Sequence, residues 1–427
     1  MPDTLCHDPE RSCRTSFGKQ GWSGVPHMRH ILLITAALTW AVPGHAADIR
    51  AGFQAAIELN AELRGLVAQR AVIEARRQGA QAFLPAAPSI SPSWRTTTFT
   101  QRTGFQEFEI GGEVPVWLPG ESRALRGSVE AQTAQLDARI AEARITLAAL
   151  VREAYWAWAA ANAEREAAQA RVTSARALER DLTRQVGAGQ VPRADLLLAA
   201  ADARDAEAML TTAAGAARDA AIAFRTLTGT NPTQGQPERA APPPSGEAAL
   251  RALPAAIVAR TSQDLARAEE RLAQVRDRAN PAVFGGWRRE RDATGAPYVD
   301  RLLIGVRIPF AYAPQVNERI ATARAEATLA EATLATVART LAGADARARA
   351  QAGDAAAIAG LAEQRHRALA EQAGLGEASY RAGNLPFAEV VRVRAQIAQA
   401  DAQRRRARVE QGRAASTINQ TLGLEPQ

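Results

Sequence analysis

The chain has 427 residues, with 52 lysines and arginines against 45 aspartates and glutamates, a formal charge of +7 and only 5% aromatic residues. That length can bury a large core, and the dominance of alanine and arginine favours long helices, because both lose little on entering one. Acids are interspersed with the bases as on a solvated helix face, without a like-charge block or an aromatic stacking platform, and this excludes nucleic acid as the expected partner.

The first element is "MRHILLITAALTWAVPGHAAD", beginning at Met28. A short basic start, an apolar run from Ile31 to Val42 and small residues up to Ala46 predict a secretory signal peptide cut after Ala46. About a dozen apolar residues are too few to span a bilayer. Residues 1–27 read as an upstream extension, with Met1 and Met28 as alternative starts, so 1–46 is set apart from the fold. Cys6 and Cys13 both precede the cut, which leaves the exported chain no thiol for a disulfide, a nucleophile or lipid attachment. No acyl anchor is expected. His366 and Met209 are the only histidine and methionine after the cut, so no metal site and no cofactor are expected. His366 lies among arginines and is expected to be exposed. The chain shows no P-loop, no Gly-x-Ser-x-Gly elbow and no His/acid cluster, and nothing in it predicts an enzyme.

Next comes a helical pattern over about Ala51–Phe83, then a weak strand over Ser89–Thr100 and the turn "QRTG". In "EFEIGGEVPVW", Phe108, Ile110, Val114 and Val116 share one parity and Glu107, Glu109 and Glu113 the other. A period of two predicts a strand with one apolar and one polar face. Gly111 reads as a turn residue, and Pro119-Gly120 as the junction into a helix. From Glu121 to Val186 there is no proline. Val129, Leu136, Ala143, Leu150 and Ala157 form one heptad series and Ile140, Leu147, Ala154 and Ala161 its partner, which predicts a helix of roughly 100 Å. "GAGQVPRADLLLAA" then reverses the chain into a shorter helix, Arg193–Leu227, ending at Gly229.

After a linker over 230–245 the pattern recurs. A helix over Gly246–Arg278 leads to a strand over Val283–Arg291 and the turn "DATGAP". In "YVDRLLIGVRIPF", Leu302, Ile304, Val306, Ile308 and Phe310 stand opposite Arg301 and Arg307. A second proline-free run, Gln315–Arg381, carries Leu334, Leu341 and Ala348 against Ala330, Val337 and Ala344. "RAGNLPFAEVVRVRA" reverses it into Phe387–Thr421, ending at Gly423.

Gly189 and Gly383 are 194 positions apart, and so are Val114-Pro115 and Ile308-Pro309, Gly111 and Gly305, and Gly229 and Gly423. One offset shared by separate landmarks predicts an internal repeat, with units at 47–229 and 246–427. Each unit supplies one long helix, two short ones and a hairpin. Four strands with one oily face cannot close a barrel, and an open edge cannot stand in lipid. Copies of the chain must pool strands, and three copies give about twelve, within the range of outer-membrane barrels. Ile110, Val114, Val116, Leu302, Ile304, Val306 and Ile308 would then face lipid, and Glu107, Glu109, Glu113, Arg301 and Arg307 an aqueous lumen. The alternative is a soluble hairpin packed on a helix.

The duplicated "G-x-[VL]-P-x-x-[DE]-[LV]-[LV]" turns, the "LTG" and "TLG" ends and "GEVPVWLPG" resemble the TolC family of outer-membrane efflux proteins, and the "VPVWLPGES" junction is most similar to CzcC-type metal-efflux members. The resemblance covers nearly the whole chain after the signal. It implies a mainly α protein with a small membrane β part: a homotrimer whose twelve-stranded barrel in the Gram-negative outer membrane continues into a periplasmic helical tunnel. It also implies a passive exit duct, docked by a periplasmic adaptor and energised by an inner-membrane transporter of the RND class. Gly189, Val191, Pro192, Gly383, Leu385 and Pro386 would form the adaptor-docking turns. Glu389, with Asp195 and Tyr380, would lie at the periplasmic mouth. Leu385 and Arg392 depart from polar and acidic positions of some members. A type I secretion duct and a periplasmic coiled-coil adaptor are the alternatives.

Overall fold

The computed structural model describes residues 46–97, 103–244 and 246–427. The expected extension and signal peptide lie outside the described residues except for Ala46, as do part of the first hairpin turn and Ser245.

The elements run β1 (Ala46–Ala47), α1 (Ile49–Leu59), α2 (Ala61–Gln81), β2 (Ser89–Thr96), β3 (Gln106–Pro115), α3 (Glu121–Gly187), α4 (Arg193–Thr228), β4 (Asn231–Pro232), α5 (Gly246–Arg251), α6 (Pro254–Val275), β5 (Ala282–Arg291), β6 (Val299–Arg307), α7 (Ala313–Arg381) and α8 (Phe387–Thr421). The fold is mainly helical. Helices α3 and α7 hold 67 and 69 residues, so each is roughly 100 Å long. Helices α2 and α6 pack along the sheet-proximal part of α3, and α4 and α8 along its distal part; α7 is flanked by α6 and α8.

Two expected helices are interrupted. Asn60 is extended and its side chain accepts a hydrogen bond from the Leu63 N–H, so it ends α1 and caps α2 in one step. Leu253 is extended because the ring of Pro254 disfavours the helical conformation in the residue before it, and α6 starts afresh at that proline.

The heptad seam of α3 also shifts. Val129 and Leu136 are buried as expected, but Leu150 and Ala157 are exposed. Leu147, an expected seam residue, is buried, but from it the buried positions run on to Val151, Tyr155 and Trp158, at steps of four, four and three. A helix of 3.6 residues per turn drifts about 20° per heptad, so a seam that begins in register does not end in it. These residues join Phe53, Ala56, Leu63 and Phe224 in the largest core cluster, midway along α3.

The linker is stitched to this core. β4 pairs in parallel with β1, and Glu238 receives both Nε and Nη2 of Arg152, at 2.9 and 2.7 Å. The other terminal nitrogen of Arg152 donates to Gln420 Oε1 and to the Leu424 carbonyl, at 2.6 and 3.0 Å. One buried guanidinium thus ties α3, the linker and the end of α8 together.

Candidate functional site

The four-stranded sheet has the order β2-β3-β5-β6, all antiparallel, which leaves β2 and β6 as its edges, unpaired among the described residues. Its two hairpins join through β3 and β5, so the halves of the sequence meet at the centre of the sheet. Alternation sorts the side chains onto two faces. Ile110 and Val114 share one face with Ile90 and Trp94 of β2, Val283 and Trp287 of β5, and Leu302, Ile304 and Val306 of β6. That face is bare: Leu302 is 77% exposed and Ile304 75%. Phe108 and Trp287 meet edge-on there, with ring centroids 5.8 Å apart. Val116 and Ile308 lie just beyond their strands and are also exposed.

The other face carries charge. Glu107, Glu109, Glu113, Arg301 and Arg307 all lie on it, and the structure brings them into a ladder of ion pairs. Arg307 of β6 meets Glu113 of β3 at 2.7 Å, reaching over the intervening β5. Arg288 meets Glu109 at 3.0 Å, Arg95 meets Glu107 at 3.1 Å and Arg301 meets Glu290 at 2.9 Å. Arg95, Arg288 and Glu290 were not among the residues singled out in the sequence. The signal that identifies them is cross-strand register, which on this face places even residues of β5 beside odd residues of β3 and β6.

Gly111 and Gly305 lie inside β3 and β6 rather than in turns. At Gly305 the reason is space: a Cβ there would sit 2.5 Å from Cζ of Phe284 on the neighbouring strand. The glycine pattern marks a close approach within the sheet, which is the usual meaning of glycine inside a strand.

Sheet and helices are joined at the start of α3. Glu121, only 2% exposed, accepts from the Leu118 N–H, from Arg276 at 2.8 Å and from Asn280 at 2.6 Å. The last two residues follow α6, so this carboxylate fixes the first long helix to the second half of the chain.

At the far end, both long helices reverse with the same geometry. Gly189 and Gly383 have φ of +70° and +76°, and at each the following residue's N–H donates back five positions, Gln190 to the Gln185 carbonyl and Asn384 to the Ser379 carbonyl. Pro192 and Pro386, with φ of −63° and −65°, stand one residue before α4 and α8 as their caps. Open space surrounds both glycines, so the left-handed backbone alone demands them. Val191 and Leu385 are half-buried beside these turns.

Phe387 inserts between the two reversals. It packs with Leu178, Leu182 and Ala199, while Tyr380 lies against it with ring centroids 5.5 Å apart. The Tyr380 hydroxyl is buried without a hydrogen-bond partner among the described residues. Burial, and the negative charge of nearby Asp195, push its pKa up. Asp195 and Glu389 hold equivalent places in the first turns of α4 and α8, where a carboxylate suits the positive end of the helix.

Glu389 is not a bare acid. Arg392, one turn on, grips both its oxygens, with Nε to Oε2 at 2.8 Å, and this hydrogen bond holds the carboxyl below its usual range. The sequence departure at Arg392 therefore has a direct consequence: any ring of Glu389 would be largely neutralised by its own arginine. Arg392→Ala is expected to raise cation selectivity in planar-bilayer recordings, and Glu389→Ala to lower it only slightly. A larger effect from Glu389→Ala would show that the pair opens in the assembled protein.

His366 is half-buried rather than exposed, 3.7 Å from Asp401. Burial opposes ionisation of Asp401, but hydrogen bonds from Arg404 and Arg405 outweigh it and hold the carboxyl below its usual range. No group of three or more metal-ligating side chains occurs among the described residues, and no helix there is long and apolar enough to cross a membrane.

Comparison with known proteins places this geometry. Residues 53–230 match the sequence profile of a family described as outer membrane efflux protein. A search of curated proteins gives no match. Among solved structures, a membrane protein from Pseudomonas aeruginosa superposes with a TM-score of 0.72 at 16% identity, covering 90% of this chain and 92% of that one. CusC, studied for folding and transmembrane channel formation, gives 0.73 at 14% identity over 89% and 93%. The CmeC outer membrane channel of Campylobacter jejuni gives 0.70 at 13% identity over 91% and 90%.

Proposed function

From a match of residues 53–230 to the outer membrane efflux protein family and a fold similar to that of CusC and the CmeC channel, we propose that this chain is the outer-membrane exit duct of a tripartite efflux pump. The protein is a channel and not an enzyme, and its helical part stands in the periplasm. The observation that carries the finer reading is the pair of matching reversals at one end of the helices and a sheet with two open edges at the other. Open edges call for neighbouring copies, and three copies supply a closed barrel of about twelve strands. The oily face then meets lipid and the ladder of charges lines the lumen. Glu389 and Tyr380 belong to the narrow periplasmic end.

The matching turns suit docking by a periplasmic adaptor, six times around a trimer, with an inner-membrane transporter of the RND class behind it. Heavy-metal cargo is favoured by the similarity of the "VPVWLPGES" junction to CzcC-type members. The same duct would serve type I secretion if its partner were a protein exporter.

The test of docking is the double variant Gly189→Val/Gly383→Val. Left-handed backbone costs a residue with a Cβ about 1–2 kcal/mol, more when it is β-branched, and here the strain falls on two exposed loops away from the core. The trimer is expected to form and adaptor co-purification to be lost. Normal export by that variant would defeat the docking assignment; loss of the trimer itself would defeat the idea that the turns serve only to dock.

A further inference from the structure

The oily face of the sheet does not stay oily to its outer end. Strand β5 carries Val283, Gly285, Trp287, Arg289 and Arg291 along it, in register with Val306, Ile304, Leu302 and Asp300 of β6. Two arginines therefore close a column that is otherwise apolar, at the hairpin end, which points away from the periplasmic helices. Both guanidinium groups lie over the ring of Tyr298, 5.0 and 5.2 Å from its centroid, and the Tyr298 hydroxyl donates to Gln106 at 2.9 Å. One aromatic ring thus holds two like charges side by side.

Among the described residues their two charges meet one carboxylate in an ion pair. The carboxylate facing them is Asp300, 3.9 Å from Arg289, at the outer limit of an ion pair. The Arg291 Nε is buried and has no hydrogen-bond partner among the described residues. Cations on a lipid-facing strand are tolerated only near the headgroup level, where they meet phosphate rather than hydrocarbon. The opposite end of the same face finishes in Val116, Ile308 and Phe310, without a cation. The asymmetry points to an anion present on one side of the membrane. Arginine's planar fork matches phosphate oxygens in pairs, and a stacked arginine loses less freedom on binding.

We propose that Arg289 and Arg291, held over Tyr298, bind a phosphate group of a phosphorylated glycolipid in the outer leaflet. This rests on the reading that the oily face meets lipid. Strand β5 is flanked by β3 and β6 within the chain, so the site survives whatever pairs with the sheet's edges.

The test uses the full-length protein purified in detergent, with bis-phosphorylated lipid A added and retention read by native mass spectrometry. Arg289→Gln/Arg291→Gln is expected to retain the lipid about tenfold less, with oligomeric state unchanged. Lipid A stripped of phosphate, and phosphatidylethanolamine, are expected not to bind to the wild type. Equal retention by variant and wild type, or by lipid A with and without phosphate, overturns the proposal. Displacement by millimolar inorganic phosphate overturns the lipid as the source. A parallel variant, Ile304→Cys in a Cys6→Ser/Cys13→Ser background, separates the two readings. If a bilayer-soluble maleimide fails to label it, the lipid-face assignment falls and takes the proposal with it. If labelling succeeds and lipid A retention is unaffected by the arginine changes, the proposal alone falls.

Discussion

Arg152→Ala is expected to destabilise the chain by about 3–5 kcal/mol, because it removes one partner of a buried ion pair and leaves the other charged and dry. The side chains of Arg152 and Glu238 are 4% and 2% exposed, and Gln420 and the Leu424 carbonyl lose a donor at the same time. The linker is held against α3 by this carboxylate and by the short β1–β4 pairing, so its release should be local before it is global. Limited proteolysis within 230–245, followed against temperature, reads that release directly. Arg152→Met/Glu238→Gln is the control: it removes both charges, keeps most of the volume, and should recover a large part of the loss. If single and double variants are cut at the same temperature, the arginine acts through packing and not through the charge it neutralises.

Ile304→Arg is expected to impair membrane insertion by about 2–4 kcal/mol, the cost of an arginine facing hydrocarbon near the middle of a bilayer. Ile304 is 75% exposed and lies beside Gly285 on the apolar face, so the substitution creates no clash within the chain. Its neighbour Leu303 is 52% exposed on the opposite, charged face and is the internal control. Leu303→Arg should insert normally. Heat-resistant trimers in outer-membrane fractions, quantified for both variants, provide the measurement. Equal loss in both would mean that the two faces meet the same medium, and the assignment of lipid and lumen would fail.

How far each part was legible depended on the range of the interactions that create it. The long helices follow from proline-free, alanine-rich runs, and the structure ends them within two residues of Val186 and at Arg381 as the pattern predicts. The reversals at Gly189 and Gly383 were legible because a left-handed residue nearly requires glycine, whatever lies around it. The strand faces were legible because alternation is a local property. Asn60 and Pro254 interrupted two helices by equally local rules that a reading of apolar periodicity passes over.

Position within the sheet was less accessible. Nothing in "AVFGGWRRER" alone says that Arg288 shares the charged face and Arg289 the apolar one; the register against β3 and β6 decides it. The exposed Leu150 and buried Tyr155 show the same limit in a helix, since small angular drift accumulates over many turns.

By itself the sequence determined the order of the elements, where each long helix turns back and which strand residues share a face, because backbone conformation and side-chain periodicity act over a few residues. Only the tertiary structure decided that Glu121 joins the two halves through Arg276 and Asn280 and that the linker's Glu238 neutralises Arg152. Those pairings depend on which charged atoms come within about 3 Å once separate helices are laid together, and a short-range interaction between distant positions leaves no periodic trace in a single chain.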